Sequence, residues 1–113
     1  MTRIIAVLAP VAVALTIATG AVGASQVGKL TGTTGPGFTI TMSKKSVAHG
    51  TYVITIKDRS AIHDFHLTGP GVNKKTSVAA VKTYTWKLTL KKGTYRFVCD
   101  PHASIIKGVL KVT

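Results

Sequence analysis

Residues 93–102 read GTYRFVCDPH and join an alternating strand to a Cys-x-x-His turn. Successive side chains of a strand point to opposite faces of a sheet, so Tyr95, Phe97 and Cys99 share one apolar face. Cys99 therefore points inward, and His102 follows it across a tight Asp-Pro turn. A thiolate and an imidazole at this spacing supply half of the ligands of a metal site.

The same alternation recurs along most of the chain. Apolar residues alternate with polar ones at residues 38–43, 51–57, 83–90 and 109–112, and turn-forming Gly, Pro, Ser or Lys residues separate these segments. No segment carries a convincing helical period. Several short strands in so small a domain predict an all-β antiparallel sandwich or barrel of about seven strands.

The N-terminus has the order of features that is typical of a secretory signal peptide. Arg3 precedes an apolar run at residues 4–17, and small residues follow as far as Ala24. This order predicts that residues 1–24 are a signal peptide, cleaved at their end, and that the protein is periplasmic or extracellular. The alternative is an uncleaved membrane anchor, because residues 4–24 have nearly the length that spans a bilayer.

The sequence after residue 24 is long enough for one small domain and too short for two. Residues 25–37 are rich in Gly and Thr and are predicted to form a flexible lead-in. The folded domain is then expected to extend over residues 38–113, and we expect it to be a monomer.

The chain is strongly basic, with 15 Lys and Arg residues against three aspartates and a formal net charge of +12. Such a protein is drawn to acidic partner proteins, and also to anionic membrane head groups or anionic cell-wall polymers. Its aromatic residues align with apolar strand faces, so they predict a core and no platform for stacking nucleic-acid bases. The sequence has no paired carboxylates and no Ser/His/Asp set, and we expect no enzymatic activity.

Cys99 is the only cysteine of the chain. Exported proteins usually pair their cysteines, so a single one indicates an intermolecular bridge, a free thiol or a metal ligand. Strand parity places His63 on the same face as the apolar Phe65, whereas His66 lies on the opposite face. His63 is therefore the better partner for Cys99, and His49 is most simply a solvated loop residue. One Cys with two His is typical of trigonal blue-copper electron-transfer sites, whereas zinc favours a fourth good ligand.

The stretches DRSAIHDFHL at residues 58–67 and GTYRFVCDPH at residues 93–102 resemble those of plastocyanin and pseudoazurin. The resemblance to these small cupredoxins covers essentially all of the chain after the signal peptide, and it implies a cupredoxin-like Greek-key sandwich. It also implies that His63, Cys99 and His102 bind one copper ion that cycles between Cu(II) and Cu(I). A protein of this kind carries single electrons between redox partners, with the second imidazole near the solvent edge.

Two residues depart from the pattern of this family. Ile106 occupies the place of the usual axial methionine, and neither Met1 nor Met42 can replace it. Because Ile has no donor atom, three-coordinate copper with a raised reduction potential is expected unless another group fills the axial place. Asp64 stands where the family usually has Asn, and with Pro101 it is expected to lie behind the ligands. A carboxylate accepts but does not donate, so the usual bracing contact between the ligand loops does not follow here, and its charge would favour Cu(II).

Three functions fit these features. The first is an exported one-electron carrier that exchanges electrons with an acidic redox partner protein. The second is a copper storage or delivery protein of the cell envelope, which would pass the ion to a copper acceptor protein. The third is a metal-free domain of the same fold that binds acidic polymers or a partner protein through its basic exterior.

Overall fold

Nine strands and one turn of 3-10 helix form residues 27–113, the part of the chain that this computed structural model describes. The 3-10 helix is Asp100–His102. No helix in the described part of the chain has the length and apolar character needed to cross a membrane. The predicted signal peptide, residues 1–24, lies outside the described residues. The strands are β1 (Val27–Thr34), β2 (Ile40–Met42), β3 (Ser46–Val47), β4 (Gly50–Asp58), β5 (His66–Gly69), β6 (Val72–Lys75), β7 (Lys82–Leu90), β8 (Gly93–Val98) and β9 (Lys107–Val112).

The strands form two sheets that pack face to face. The first sheet has the strand order β2-β1-β4-β7, and the second has the order β3-β9-β8-β5-β6. Each sheet contains one parallel pair, β1 with β4 and β3 with β9, and is otherwise antiparallel. The predicted all-β sandwich is therefore confirmed, with mixed instead of purely antiparallel sheets. It has nine strands where about seven are predicted, because strands as short as β3 are too brief to show an alternating pattern.

Alternation along the strands explains how the two sheets share a core. In β4, Ile54 and Ile56 are fully buried, and in β8, Tyr95 and Phe97 point inward. Burying each large apolar side chain contributes about 1.5–3 kcal/mol, which makes this inner layer the main source of stability. Trp86 is half-buried against it. The core consists of Leu30, Val47, Ile54, Ile56, Phe65, Leu67, Leu90, Tyr95, Phe97, Leu110 and Val112.

The prediction of a flexible lead-in at residues 25–37 is wrong for the residues that form β1. This strand lies between β2 and β4, and it pairs with β4 along its whole length. Leu30 is buried in the core, and a Cβ added at Gly32 would lie only 2.7 Å from the ring of Phe65. Gly permits this close packing, and Thr is a residue that favours strands. The same composition is common in flexible segments, which is why the sequence alone is misleading here.

The topology brings two distant segments to one end of the sandwich. His63 lies in the turn that leads from β4 into β5, Cys99 follows β8 directly, and His102 ends the 3-10 helix. β5 and β8 are antiparallel neighbours, with His66 opposite Val98. The segment before β5 and the segment after β8 therefore emerge side by side.

Candidate metal centre

Donor atoms of His63, Cys99 and His102 face one another at this end of the sandwich. Nδ1 of His63 lies 3.2 Å from Nδ1 of His102, and Sγ of Cys99 lies 3.5 Å from each of these nitrogens. The structure thus brings together the three residues that the sequence singles out, although they come from two distant stretches of the chain.

The spacing of the three atoms fits a single metal ion. A point equidistant from them lies about 2 Å from each, close to zinc–nitrogen bonds of ~2.0–2.1 Å and slightly short of zinc–sulfur bonds of ~2.3 Å. Two imidazoles and one thiolate are also the donor set of trigonal blue-copper sites. The dimensions of this cluster therefore suit one metal ion, and its donor set suits copper.

The three residues differ in their access to solvent. His63 and Cys99 are fully buried, whereas His102 is half-buried. The Nε2 atom of His63 has no hydrogen-bond partner among the described residues. The position of this ring therefore depends on packing and on the backbone that carries it. Of the three side chains, His102 alone offers an accessible edge.

Phe38 covers both imidazole rings. Its ring centroid lies 5.1 Å from those of His63 and His102, at interplanar angles of 69° and 86°. Such edge-to-face contacts are favourable between aromatic rings. The alternation at residues 38–43 predicts an inward-facing Phe38, but the residue precedes β2 and is 61% exposed. This part of the site is one that the sequence pattern does not reveal.

The pKa of the Cys99 thiol is raised, chiefly by burial, and the negative charge of Asp64 acts in the same direction. The backbone N–H groups of Asp64 and His102 oppose this effect by favouring the thiolate. Since the thiolate is the form that binds a metal, binding at this site is expected to release a proton and to weaken as the pH falls.

Asp64 connects the two loops that carry the donor atoms. Oδ1 of this buried carboxylate accepts a hydrogen bond of 2.6 Å from the backbone N–H of Asp100. The bracing contact is therefore made, because it needs only an acceptor at this position. Burial, together with the side chain and charge of Asp100, raises the pKa of Asp64 to about 6. Pro101 follows in the first turn of the 3-10 helix, a position that suits its missing N–H.

Both ring nitrogens of His66 are engaged outside the three-donor cluster. Nδ1 lies 2.8 Å from Oδ1 of Asp100, and Nε2 lies 2.6 Å from Oδ1 of Asn73. Burial disfavours the charged ring, but these hydrogen bonds and the nearby aspartates raise the pKa of His66 overall. His49 lies in an exposed turn, where Nδ1 is 2.9 Å from the backbone oxygen of Thr113. Neither histidine lies with the three donors.

Ile106 closes the loop that carries His102. Its N–H donates to the carbonyl oxygen of His102, and its own carbonyl oxygen accepts from the N–H of Cys99, both at 2.9 Å. The side chain is buried and has no atom that could bind a metal. The backbone of Ile106 is therefore hydrogen-bonded to both Cys99 and His102, and its carbonyl oxygen already serves as an acceptor.

Comparisons with known proteins point to copper-binding proteins. The family model described as copper binding proteins, plastocyanin/azurin family, matches residues 21–113. Rusticyanin from Thiobacillus ferrooxidans is similar in structure, with a TM-score of 0.56 and 18% identity over 75% of this chain and 76% of rusticyanin. Auracyanin A, a blue copper protein from Chloroflexus aurantiacus, has a TM-score of 0.52 and 16% identity over 75% of this chain and 98% of its own. At these identities the likenesses show the fold, which is that of the cupredoxins. No curated protein sequence matches the chain.

Proposed function

We propose a one-electron carrier function for this chain, which belongs to the plastocyanin/azurin family of copper-binding proteins. The observation that carries the proposal is the triangle of donor atoms from His63, Cys99 and His102, whose sides of 3.2–3.5 Å suit one ion. Copper bound there would supply a reversible one-electron change between Cu(II) and Cu(I). We infer no catalytic role, since the Cys99 thiolate would be occupied as a copper ligand and the three-residue cluster itself contains no carboxylate.

The burial of the donors supports a carrier. His63 and Cys99 are enclosed by the core, so the fold holds them in nearly the same place in both oxidation states. His102 reaches the surface and provides the edge through which an electron would enter or leave. Among the described residues, Phe38, Ile62 and Ile105 are large apolar side chains that remain exposed. Phe38 lies against the accessible imidazole, and a partner docked there would approach the ion closely.

The charge distribution favours an acidic redox partner. Asp58 and Asp64 are buried, which leaves Asp100 as the one aspartate with substantial exposure in the described chain. The basic residues of the described chain lie mostly at exposed positions. An exterior with this imbalance attracts an acidic protein surface and speeds the encounter. We further propose that residues 1–24 direct export, on the basis of their sequence.

The copper site is proposed to lack an axial donor because Ile106 occupies that position. Ile106→Met would introduce a soft thioether, which holds Cu(II) more firmly, and should lower the reduction potential. The matched control is Ile106→Leu, which has a similar volume and no donor atom, and its potential should stay near that of the wild type. Equal potentials for the Met and Leu variants, measured by voltammetry, would argue against an open axial position.

Copper storage or delivery is the second candidate, and the same residue favours it. A site without an axial donor holds Cu(I) well relative to Cu(II), and a tightly held Cu(I) ion suits a protein that passes copper to an acceptor. Voltammetry separates the two roles, since a carrier retains the metal through repeated cycles. Transfer of the ion to an acceptor protein on reduction would instead support delivery.

Titration with Cu(II) tests the ligand assignment. The wild-type protein should develop an intense blue thiolate-to-copper band that saturates at one ion per chain. Circular dichroism should show that Cys99→Ser remains folded. The blue band should be absent from this variant, because an alcohol does not supply the thiolate. The control is His49→Ala, which removes a histidine in an exposed turn and should leave the titration unchanged. A blue band that persists in Cys99→Ser would refute the assignment.

A further inference from the structure

Asp58 is a buried carboxylate that the donor cluster does not use. It is the last residue of β4, five positions before His63, and it is 2% exposed. Burial raises the pKa of Asp58, whereas hydrogen bonds from Ser60 and Thr76 and the positive charge that His63 can carry favour its ionised form. A buried carboxylate is costly unless hydrogen bonds satisfy it. The two oxygens of Asp58 are satisfied by two different segments of the chain.

The first oxygen organises the turn that leads into His63. Oδ1 of Asp58 accepts a hydrogen bond of 3.1 Å from the backbone N–H of Ser60. Oγ of Ser60 in turn accepts one of 3.3 Å from the backbone N–H of Ile62. A carboxylate that bonds the N–H two residues later stabilises a tight turn. The residue directly before His63 is therefore linked to Asp58 through two hydrogen bonds.

The second oxygen organises the residues that follow His63. The Thr76 hydroxyl donates to Oδ2 of Asp58 at 3.2 Å and accepts from the backbone N–H of Phe65 at 2.9 Å. The backbone N–H of Thr76 also donates to the carbonyl oxygen of Phe65 at 3.1 Å. Thr76 is itself buried. One hydroxyl thus joins the carboxylate to the backbone two residues after His63.

We propose that Asp58 is a positioning residue, which fixes the backbone of His63 from both sides and so keeps its Nδ1 in the donor triangle. The proposal rests on the copper site proposed above. The ring needs such support because its Nε2 has no partner in the described chain, although metal-bound histidines are usually oriented by a hydrogen bond at that nitrogen. In this protein the support reaches His63 through its neighbours Ile62 and Phe65.

Thr76→Val and Thr76→Ser provide the test. Valine keeps the shape of the side chain and removes the hydroxyl, while serine keeps the hydroxyl. Without the hydroxyl, the buried N–H of Phe65 loses its acceptor, so this amide hydrogen should exchange at least about fivefold faster in the metal-free Thr76→Val protein. With Cu(II) bound, the charge-transfer band should shift in Thr76→Val and stay at the wild-type wavelength in Thr76→Ser.

The matched control is Thr34→Val. Thr34 is the β1 neighbour of Asp58 in the parallel ladder and is equally buried, but its Oγ1 has no hydrogen-bond partner in residues 27–113. Thr34→Val therefore makes the same chemical change at the same end of the sandwich without touching the link to His63. Amide exchange at Phe65 and the copper band should both stay at their wild-type values.

Asp58→Ala gives a second test if Thr76→Val does not fold. It removes both carboxylate oxygens, so the N–H of Ser60 and the hydroxyl of Thr76 lose their acceptors and both sides of the His63 segment should loosen. Unchanged exchange at Phe65 and Ile62 in Asp58→Ala, or a band that shifts equally in Thr34→Val, would overturn the proposal. The exchange experiment uses metal-free protein, so its outcome remains meaningful even if wild-type protein fails to bind copper.

Discussion

The two imidazoles of the site are held in different ways. His63 is enclosed by the core, and side-chain hydrogen bonds of Asp58 and Thr76 fix the backbone on both sides of it. His102 is half-buried at the end of a single helical turn. Its N–H donates to the carbonyl oxygen of Cys99 at 3.0 Å, and its carbonyl oxygen accepts from the backbone of Ile106.

This difference shows how one fold can serve two needs. Electron transfer needs donor atoms that move little, and the buried side of the site supplies them. It also needs an edge that a partner can approach, which only a loop at the surface supplies. The loop is short and closed by a backbone hydrogen bond between Cys99 and Ile106, so exposing its imidazole does not require a mobile segment.

His63→Gly and His102→Gly should test the difference between the buried and the accessible imidazole most directly. Each variant loses an imidazole, and the blue band of the Cu(II) protein should disappear in both. Added imidazole should restore the band in His102→Gly, because the opening left by a half-buried ring reaches the solvent. The same addition should fail with His63→Gly, where the opening is enclosed.

The stabilities of the two variants should differ in the same sense. Removing the buried ring of His63 leaves a cavity, which in comparable core substitutions costs about 2–5 kcal/mol. His102→Gly should cost clearly less, as measured by urea unfolding of the metal-free proteins. Equal restoration by imidazole in both variants would show that the buried and accessible imidazoles do not differ as the structure indicates.

The sequence predicts the buried side of this site better than the accessible side. Strand parity is enough to place Cys99, which follows β8 directly, on an inward face. Parity also names the buried face of His63, but that residue lies in the turn before β5, where the equally buried Asp64 breaks the alternation. The contact of Phe38 with both imidazoles follows from the path of residues 35–39 outside any strand, where parity has no meaning. Local pattern therefore determines direction within a strand and not the position of a loop.

Two further features depend on contacts between distant residues. Gly and Thr at residues 27–34 form an inner strand because β4 and the ring of Phe65 lie beside them, and neither neighbour can be read from that stretch. Asp58 likewise carries no local signal of its link to Phe65, since Thr76 joins them from another part of the chain. Sequence reasoning captures the donor set and singles out Asp64 behind it, but it misses the support from Asp58 and Thr76.

A smaller effect should appear in the pH dependence of stability, because Asp64 braces the loops of the two imidazoles. Its pKa is about 6 in the folded protein and 3.8 when unperturbed. Between these values the folded state binds more protons than the unfolded state, so the free energy of unfolding should fall as the pH rises from about 4 to 6. Asp58, whose pKa is also raised by burial, contributes in the same direction.

The neighbouring groups set the limits of this pH window. The raised pKa of His66 stabilises the folded state at low pH, and that contribution should be lost as the pH rises above about 6.5. The pKa of Asp100 is lowered, chiefly by its hydrogen bonds with Asp64 and His66 acting against burial, so its contribution is lost only below about pH 4. Urea unfolding of metal-free protein, followed by Trp86 fluorescence, should therefore show the greatest stability near pH 4 and a decline towards pH 8.

Asp64→Asn removes the charge of the carboxylate and keeps an oxygen that can accept the hydrogen bond between the two ligand loops. The amide oxygen can still accept from the N–H of Asp100, so the variant should fold with the two ligand loops joined. Since an amide does not titrate, the decline between pH 4 and 6 should become shallower, while the decline above pH 6.5 that His66 causes should remain. If Asp64→Asn followed the wild-type curve throughout, the carboxylate would contribute nothing to the pH dependence. The hydrogen bond that connects the loops of His63 and His102 would then be insensitive to the charge of residue 64.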